Sequence, residues 1–193
     1  MEHTNVNILW SILICSLKER EFTLKKLLDK LYKQINDDSR IEVLVECDSG
    51  EMSTGEKRNL LVSRAQGKYI NFIDDDDDIS DDYVLLTVTA LEQDPDCVGI
   101  QGLLMSSKGS FLFEHSIEHQ GWYTTFNPKS PNDPMYIRTP NHLNPVRKVI
   151  AEQIGFPLKN FGEDGDYSMG IKRYLKTEVF IDHPIYFYIK EID

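Results

Sequence analysis

Hydrophobic positions along the chain follow two alternating rhythms. Ile8-Leu9-Trp10-Ser11-Ile12-Leu13-Ile14 is apolar almost without interruption, which predicts a strand covered on both faces. From about Arg20 to Gln34, the apolar side chains Phe22, Leu24, Leu27, Leu28, Leu31 and Ile35 recur at helical spacing, with Lys and Asp on the opposite face. Asn36-Asp37-Asp38-Ser39 reads as a turn and Ile41–Val45 as a second strand. A polar loop from Cys47 to Gly55 leads into a helix beginning near Glu56, behind Ser53-Thr54-Gly55, and running to about Gln66, with Gly67 as its stop. Lys68–Ile73 is a third strand. It ends abruptly in Asp74-Asp75-Asp76-Asp77-Asp78, and an amphipathic helix follows from about Asp81 to Gln93. Strands alternating with helices over short connections predict a largely parallel sheet flanked by helices, with ligands held beyond the carboxyl ends of its strands.

After Cys97 the rhythm changes. Val98–Met105 and Phe111–His115 predict a hairpin around Ser106-Ser107-Lys108-Gly109. The stretch from Gln120 to Pro140 holds Pro128, Pro131, Pro134 and Pro140 among Trp122, Tyr123, Phe126 and Tyr136, and it reads as a long loop, functional or mobile. Pro145 opens a helix through Gln153 that Gly155 closes, and another short helix begins near Glu163. Val179–Ile181 and Ile185–Ile189 are expected as final strands around Pro184.

Composition narrows the function classes. The chain has 193 residues, 40% of them hydrophobic, a length suited to one domain with a sizeable core. With 32 acidic against 21 basic side chains the net charge is −11, which argues against non-specific nucleic-acid binding and against docking on an anionic membrane. Three scattered cysteines, Cys15, Cys47 and Cys97, with no CxxC spacing, suggest a reduced, cytoplasmic protein without a zinc site. Ile8–Leu17 is too short to span a bilayer, and Asn5 and Asn7 stand where a signal peptide carries basic residues, so neither a transmembrane segment nor a signal peptide is expected.

Five consecutive aspartates after a buried strand would repel one another without a counter-charge. In extended backbone Asp74, Asp76 and Asp78 would share one face and Asp75 and Asp77 the other. Such carboxylates are hard oxygen ligands for Mg²⁺ or Mn²⁺, with a phosphate completing the coordination sphere. The competing reading is a solvated loop whose acids favour the start of the next helix. A calcium loop of the EF-hand kind fails, because Ile79 stands where a glycine is needed and Leu85 where a bidentate Glu is needed. No GxxxxGK[ST] loop is present, which excludes a P-loop kinase.

The surrounding segments add a more specific signal. Gly55-Glu56-Lys57-Arg58-Asn59-Leu60-Leu61, followed by Ala65-Gln66-Gly67-Lys68-Tyr69-Ile70-Asn71-Phe72-Ile73-Asp74-Asp75-Asp76-Asp77, resembles the core of family 2 glycosyltransferases, the nucleotide-sugar enzymes of the GT-A fold. Ser11-Ile12-Leu13-Ile14-Cys15-Ser16 is similar to the family's first strand, and Val43-Leu44-Val45-Glu46-Cys47-Asp48-Ser49-Gly50 to its second strand and donor loop. Gly162-Glu163-Asp164-Gly165-Asp166-Tyr167 resembles its late Glu-Asp motif. The likeness covers most of the first hundred residues, then isolated blocks from Asn144 to Tyr188. Two departures stand out: Cys47-Asp48 replaces a pair of acids, and Cys15-Ser16 replaces a Pro-Thr.

This resemblance implies an α/β, Rossmann-like GT-A fold, with a mostly parallel central sheet flanked by helices and a smaller mixed acceptor-side region. Residues 1–193 would form a single domain, with a nucleotide-sugar-binding half over about 1–105 and an acceptor and catalytic half over about 106–193. The implied activity is sugar transfer from a nucleotide-diphosphate donor, a UDP-sugar first among them, to an acceptor hydroxyl, with inversion and dependence on Mn²⁺ or Mg²⁺. Asp74, Asp76 and Asp77 would hold the metal, with His183 as a late ligand. Ser16, Asp48, Arg58, Asp74 and Asp75 would contact the donor. Asp164 would be the general base, with Glu163 and Asp166 as alternatives that orient the acceptor. His142 would lie on the acceptor side, and Trp122, Tyr123 and Phe126 offer rings on which a sugar could stack.

For each of these positions a plainer reading exists: Arg58 as a surface ion pair, Glu163 and Asp164 as helix N-terminal acids, His183 as a loop residue. Two rival functions also remain. A nucleotidyltransferase on a related sheet would use the same acids, but it usually carries a glycine-rich basic loop where this chain has Ser16-Leu17-Lys18-Glu19-Arg20. A non-catalytic nucleotide- or glycan-binding module would keep the fold without turnover. The acceptor, whether glycan, lipid-linked or protein, is not specified, and the 120–140 segment could as readily meet a partner subunit in a homo-oligomer.

Overall fold

A computed structural model describes residues 7–190; Asn5, used above to argue against a signal peptide, lies outside them. The chain folds into an α/β structure around one ten-stranded sheet. In chain order its elements are β1 (Trp10–Leu17), α1 (Glu21–Ile35), β2 (Ile41–Asp48), α2 (Thr54–Arg64), β3 (Tyr69–Phe72), β4 (Asp78–Ile79) and α3 (Tyr83–Leu91), then β5 (Cys97–Ser106) and β6 (Gly109–His115). They continue with β7 (Tyr123–Asn127), β8 (Ser130–Arg138), β9 (Val146–Arg147), α4 (Lys148–Ile154), α5 (Glu163–Lys172) and β10 (Glu178–Ile189).

The first half is parallel as expected: β1 lies between β2 and β3, running the same way as both. Beyond β3 the sheet becomes mixed, in the order β9-β5-β6-β8-β7, while β10 runs parallel along the other edge of β5 and turns onto β4. No helix among the described residues is long and apolar enough to cross a membrane.

Alternation along β1 explains its continuous hydrophobicity. Trp10, Ile12 and Ile14 face a core closed by Leu27 and Leu31 of α1 and by Tyr83, Val84, Ala90 and Leu91 of α3. Leu13 faces the opposite core, with Leu61 and Val62 of α2, Ile150 of α4, and Tyr167 and Ile171 of α5. Both faces are covered, so neither shows a polar stripe. α2 starts as its sequence suggests, with a capping box in which Ser53 accepts from the Glu56 N–H and Glu56 accepts from the Ser53 N–H. Phe22, expected on the inner face of α1, is instead exposed.

Three expectations need correction. Gly67 does not stop α2 through a left-handed turn; the helix ends at Arg64. A Cβ at Gly67 would lie 2.6 Å from the Ser11 backbone nitrogen, so the glycine serves the close approach to β1. The 120–140 segment is not a structureless loop but the β7–β8 hairpin, turning at Pro128-Lys129. Its prolines hid it: Pro131 and Pro134 sit where β8 pairs only with β7, because β6 joins only from Tyr136 onward. The last two strands are one, β10, with register shifts on either side of Pro184.

Asn71 on β3 ties the two halves of the sheet together. It accepts from Trp10 Nε1 at 2.8 Å and donates to Tyr83 Oη at 2.9 Å and to the Leu143 carbonyl at 3.2 Å, all in the buried interior. Asn71→Leu keeps the volume but strands those buried partners. It should lower stability by about 2–4 kcal/mol in urea unfolding, and a change below about 0.5 kcal/mol would show that the network is not structural.

Candidate active site

The carboxyl ends of β1, β2 and β3 open onto a cleft of about 520 Å³ lined by Ser16, Arg20, Lys57, Arg58, Asp74–Asp77 and Glu163, among others. The acids do not alternate across an extended strand as predicted. The Asp77 N–H donates to the Asp74 carbonyl at 3.1 Å, so Asp74–Asp77 form a tight turn that fans the carboxylates apart.

Each carboxylate is met by a donor, and Asp75 and Asp76 share one. Asp74 accepts from Arg58 Nη2 at 3.3 Å and lies 3.2 Å from His142 Nε2. Burial alone would raise its pKa, but His142 and Arg58 hold it well below the usual carboxylate range. Asp75 accepts from Ser16 Oγ at 2.6 Å and Arg20 Nη1 at 2.9 Å. Asp76 shares Arg20 at 2.9 Å; burial and the charges of Asp74 and Asp75 raise its pKa, against the pull of Arg20. Asp77 turns inward, accepting from Tyr186 Oη at 2.7 Å and from the Ile189 N–H at 2.8 Å, and burial with the Asp74 charge pushes its pKa up to about 8. Asp78 leaves the cleft and pairs with Lys30 at 3.0 Å.

Arg58 organises the wall behind these acids. Its guanidinium is buried, donates to Glu163 Oε1 at 2.7 Å, and lies 5.4 Å from the ring centroids of both Phe72 and Phe156. It is therefore no surface residue, and Glu163 is a buried counter-ion rather than a free helix-terminal acid. Asp48 is also engaged. It accepts from the Gly50 and Met52 N–H groups and from Lys57 Nζ, which also donates to the Ser16 carbonyl at 2.9 Å. Burial opposes ionisation there, but Lys57 and the two N–H groups bring the Asp48 pKa down to about 2.

A second pocket of about 350 Å³ adjoins the first and shares Asp74 and Tyr188 with it. Its lining includes Asp164, His142, His115, Trp122, Tyr136 and Arg138. His142 stands between the two sites, with Nδ1 at 3.9 Å from Asp164 Oδ2, and that buried nitrogen has no hydrogen-bond partner. Tyr123 and Phe126, offered as stacking rings, are exposed on β7 and line neither pocket; Trp122 does line the second.

Ser16, Arg58, Asp74, Asp75, Asp76, Asp77 and Glu163 are thus gathered at one cleft, and Asp164 at its neighbour. Three candidates line neither pocket: Asp48 sits behind the first cleft, tied to the Gly50 and Met52 N–H groups and to Lys57, and the other two are turned away. His183 bulges from β10, exposed and 3.8 Å from Asp82, because the register shift at Pro184 turns it outward. Asp166 is exposed and pairs with Lys159 at 2.6 Å. Arg20, Tyr186 and the bridging position of His142 were not foreseen. Arg20 carries no motif, and Tyr186 reads as an ordinary strand aromatic.

As a metal site the cleft offers carboxylates only. No cluster of three or more His, Cys, Asp or Glu is preassembled among the described residues. Asp74 and Asp76 supply hard oxygen donors of the kind that suits a divalent cation.

A twisted sheet with helices on both faces, an acid turn at the carboxyl ends of its parallel strands and a second pocket alongside together define a GT-A architecture. Residues 53–149 match glycosyl transferase family 2, and the chain belongs to that family. No protein of curated function matches it by sequence. Among solved structures, TarS of S. aureus in complex with UDP is similar at 17% identity and a TM-score of 0.70, over 94% of this chain and 60% of that one. TarS with UDP-GlcNAc gives 16% identity and a TM-score of 0.65, over 95% and 59%. The mannosyltransferase PcManGT from Pyrobaculum calidifontis, in complex with GDP-Man and Mn²⁺, gives 13% and 0.59, over 94% and 56%. The chain thus spans about 60% of the length of the TarS 1-349 structures it resembles.

Two predictions follow from this wall of charges. Arg58→Met leaves Glu163 buried without its cation, which should cost about 3–5 kcal/mol at neutral pH, with most of the loss recovered in the Arg58→Met/Glu163→Gln double variant. Equal losses in the single and double variants would disprove the pairing. Asp77 has a folded-state pKa raised to about 8, above the unfolded value of about 3.9, so the folded state binds the extra proton between them. Its contribution to stability is full below about pH 4 and is lost as pH rises through about 8. In EDTA-containing buffer, Asp77→Asn should flatten the wild-type decline in stability over that window; an unchanged slope would place the Asp77 pKa elsewhere.

Proposed function

We propose that this chain is a glycosyltransferase domain that moves a sugar from a nucleoside-diphosphate donor, a UDP-sugar foremost, to an acceptor hydroxyl with inversion. The observation that carries the reading is the junction at Asp74. This carboxylate belongs both to an acid-lined cleft at the carboxyl ends of three parallel strands and to a pocket holding a second, freer carboxylate, Asp164. Donor and acceptor would meet across it.

In the donor cleft, Asp74 and Asp76 would hold a divalent cation, which stabilises the charge that builds on the departing diphosphate. Ser16 and Arg20 fix Asp75, and Tyr186 with the Ile189 N–H fixes Asp77, so those two brace the turn and leave Asp74 and Asp76 to face the ligand. Arg58 packs against the edge-to-face pair of Phe72 and Phe156, and it orients Asp74 from behind. Lys57 closes the ends of β1 and β2 by bridging Asp48 and the Ser16 carbonyl; Asp48 shapes the donor loop through the Gly50 and Met52 N–H groups.

Asp164 would accept the acceptor's proton as its oxygen attacks the anomeric carbon, opposite the leaving diphosphate. Glu163, neutralised by Arg58, anchors the start of α5 and so positions its neighbour. His183 and Asp166 have no part in this scheme. The three cysteines form no disulfide among the described residues, which suits a cytoplasmic setting.

Melting curves of the purified protein against UDP, GDP, CDP and TDP, each with Mn²⁺ and with EDTA, should show one diphosphate that stabilises only when metal is present. Asp164→Asn should keep that shift while transfer falls by about 10²–10⁴. Flat curves throughout, or full transfer by the Asn variant, would overturn the assignment.

A further inference from the structure

The second pocket differs from the first in what its side chains leave unpaired. Asp74 on its wall is already met by Arg58 and His142. His115 is neutral, since burial drives its pKa down to about 3, and its Nδ1 lies 3.1 Å from Asn144 Oδ1. What remains are Asp164 and two cations, Arg138 and Lys190.

Arg138 stands apart from the other arginines of this acidic chain. Arg20, Arg40, Arg58, Arg64 and Arg147 each pair with a carboxylate, and Arg173 is an exposed residue stacked on Tyr174. Arg138 is partly buried and makes no ion pair among the described residues; its Nη1 donates only to the carbonyls of Tyr123, at 3.2 Å, and Ile137, at 2.8 Å. Nε and Nη2, the two donors on the outer edge of the guanidinium, have no protein acceptor among the described residues. The group is nevertheless held in place, 5.1 Å from the Trp122 ring and 5.8 Å from that of Tyr136. Trp122 is fixed in turn, donating from Nε1 to Thr139 Oγ1 at 3.2 Å and Ser168 Oγ at 3.3 Å. A cation braced by two rings, with a paired edge of donors free and no salt bridge among the described residues, feeling the Asp164 charge only across the pocket, is prepared for two oxygens of one anionic group.

We propose that this pocket takes an acceptor carrying a fixed negative charge, a phosphate or a carboxylate, which meets Arg138 and Lys190 while the acceptor's hydroxyl faces Asp164. The inference rests on the reading of Asp164 as the base. A carboxylate base repels an anionic acceptor, and the two cations offset that repulsion. A neutral sugar would need no such pair.

The chain has two tryptophans, and only Trp122 lies at this pocket, since Trp10 is fully buried in the core. Its indole N–H resonance in ¹⁵N-labelled protein therefore reports occupancy. sn-Glycerol 3-phosphate or glucuronate should shift it along a saturable curve, while glycerol and glucose at the same concentrations should not. Whichever anion saturates first names the group. Arg138→Gln should weaken that binding about tenfold, the effect of losing one charge-assisted contact. Lys190→Gln, which alters only a surface side chain, should weaken it about threefold and keeps the test available if Arg138→Gln does not fold. Equal titration by neutral and anionic probes, no saturable anion shift, or unchanged anion binding in both variants would overturn the proposal. Melting shifts with the nucleoside diphosphates are recorded on the same samples. Their absence alongside intact anion binding would count against the transferase reading alone.

Discussion

Five carboxylates in succession at the end of a buried strand cannot coexist unless each finds a donor or a cation, and the site is the solution to that constraint. The turn at Asp74–Asp77 fans the side chains apart, and they engage several parts of the chain, Asp76 sharing Arg20 with Asp75. Asp75 reaches β1 through Ser16 and the start of α1 through Arg20, Asp77 reaches β10 through Tyr186 and Ile189, and Asp78 reaches α1 through Lys30. Asp74 reaches α2 through Arg58 and the segment before β9 through His142. Repulsion that would unfold an isolated loop becomes a set of ties converging on the sheet edge.

Arg58 shows how those ties reach the second half of the protein. Its bond to Glu163 fixes the first residue of α5, so the orientation of Asp164 depends on a side chain that also touches the first cleft. A buried ion pair adds little net stability compared with an apolar pair of the same shape. Its value here is positional: carboxylates of the two neighbouring pockets are set by one planar group whose own freedom is removed by Phe72 and Phe156. His142 makes a second link between the same two sides, from Asp74 toward Asp164.

Much of this was legible in the sequence, and the limits are physical. Strands buried on both faces announce themselves as unbroken apolar runs, which is why β1 and β3 were readable while β7, exposed along almost its whole length, was not. Ser53 and Glu56 fix the start of α2 locally, whereas the role of Gly67 depends on Ser11, which is remote in sequence. Cleft membership of Asp74–Asp77 followed from their place after a strand. Their division of labour did not, because it is decided by Arg20, Tyr186 and the Ile189 N–H, residues with no local signature. His183 misled for the converse reason: its sequence position is suggestive, but a register shift turns it away.

Charge distribution explains why two neighbouring pockets should treat anions differently. The lining of the first cleft includes Asp74, Asp75, Asp76, Asp77 and Glu163 against Arg20, Lys57 and Arg58, so acids outnumber bases even with Asp77 protonated. Those cations are already committed to carboxylates or carbonyls. A diphosphate entering alone would meet surplus negative charge, and a divalent cation held with it would reverse that sign. In the second pocket acids and bases balance: Asp74, already met by Arg58 and His142, and Asp164 stand against Arg138 and Lys190, and Arg138 makes no salt bridge among the described residues. An anion there would need no metal, because the outer edge of Arg138 has no acceptor among the described residues.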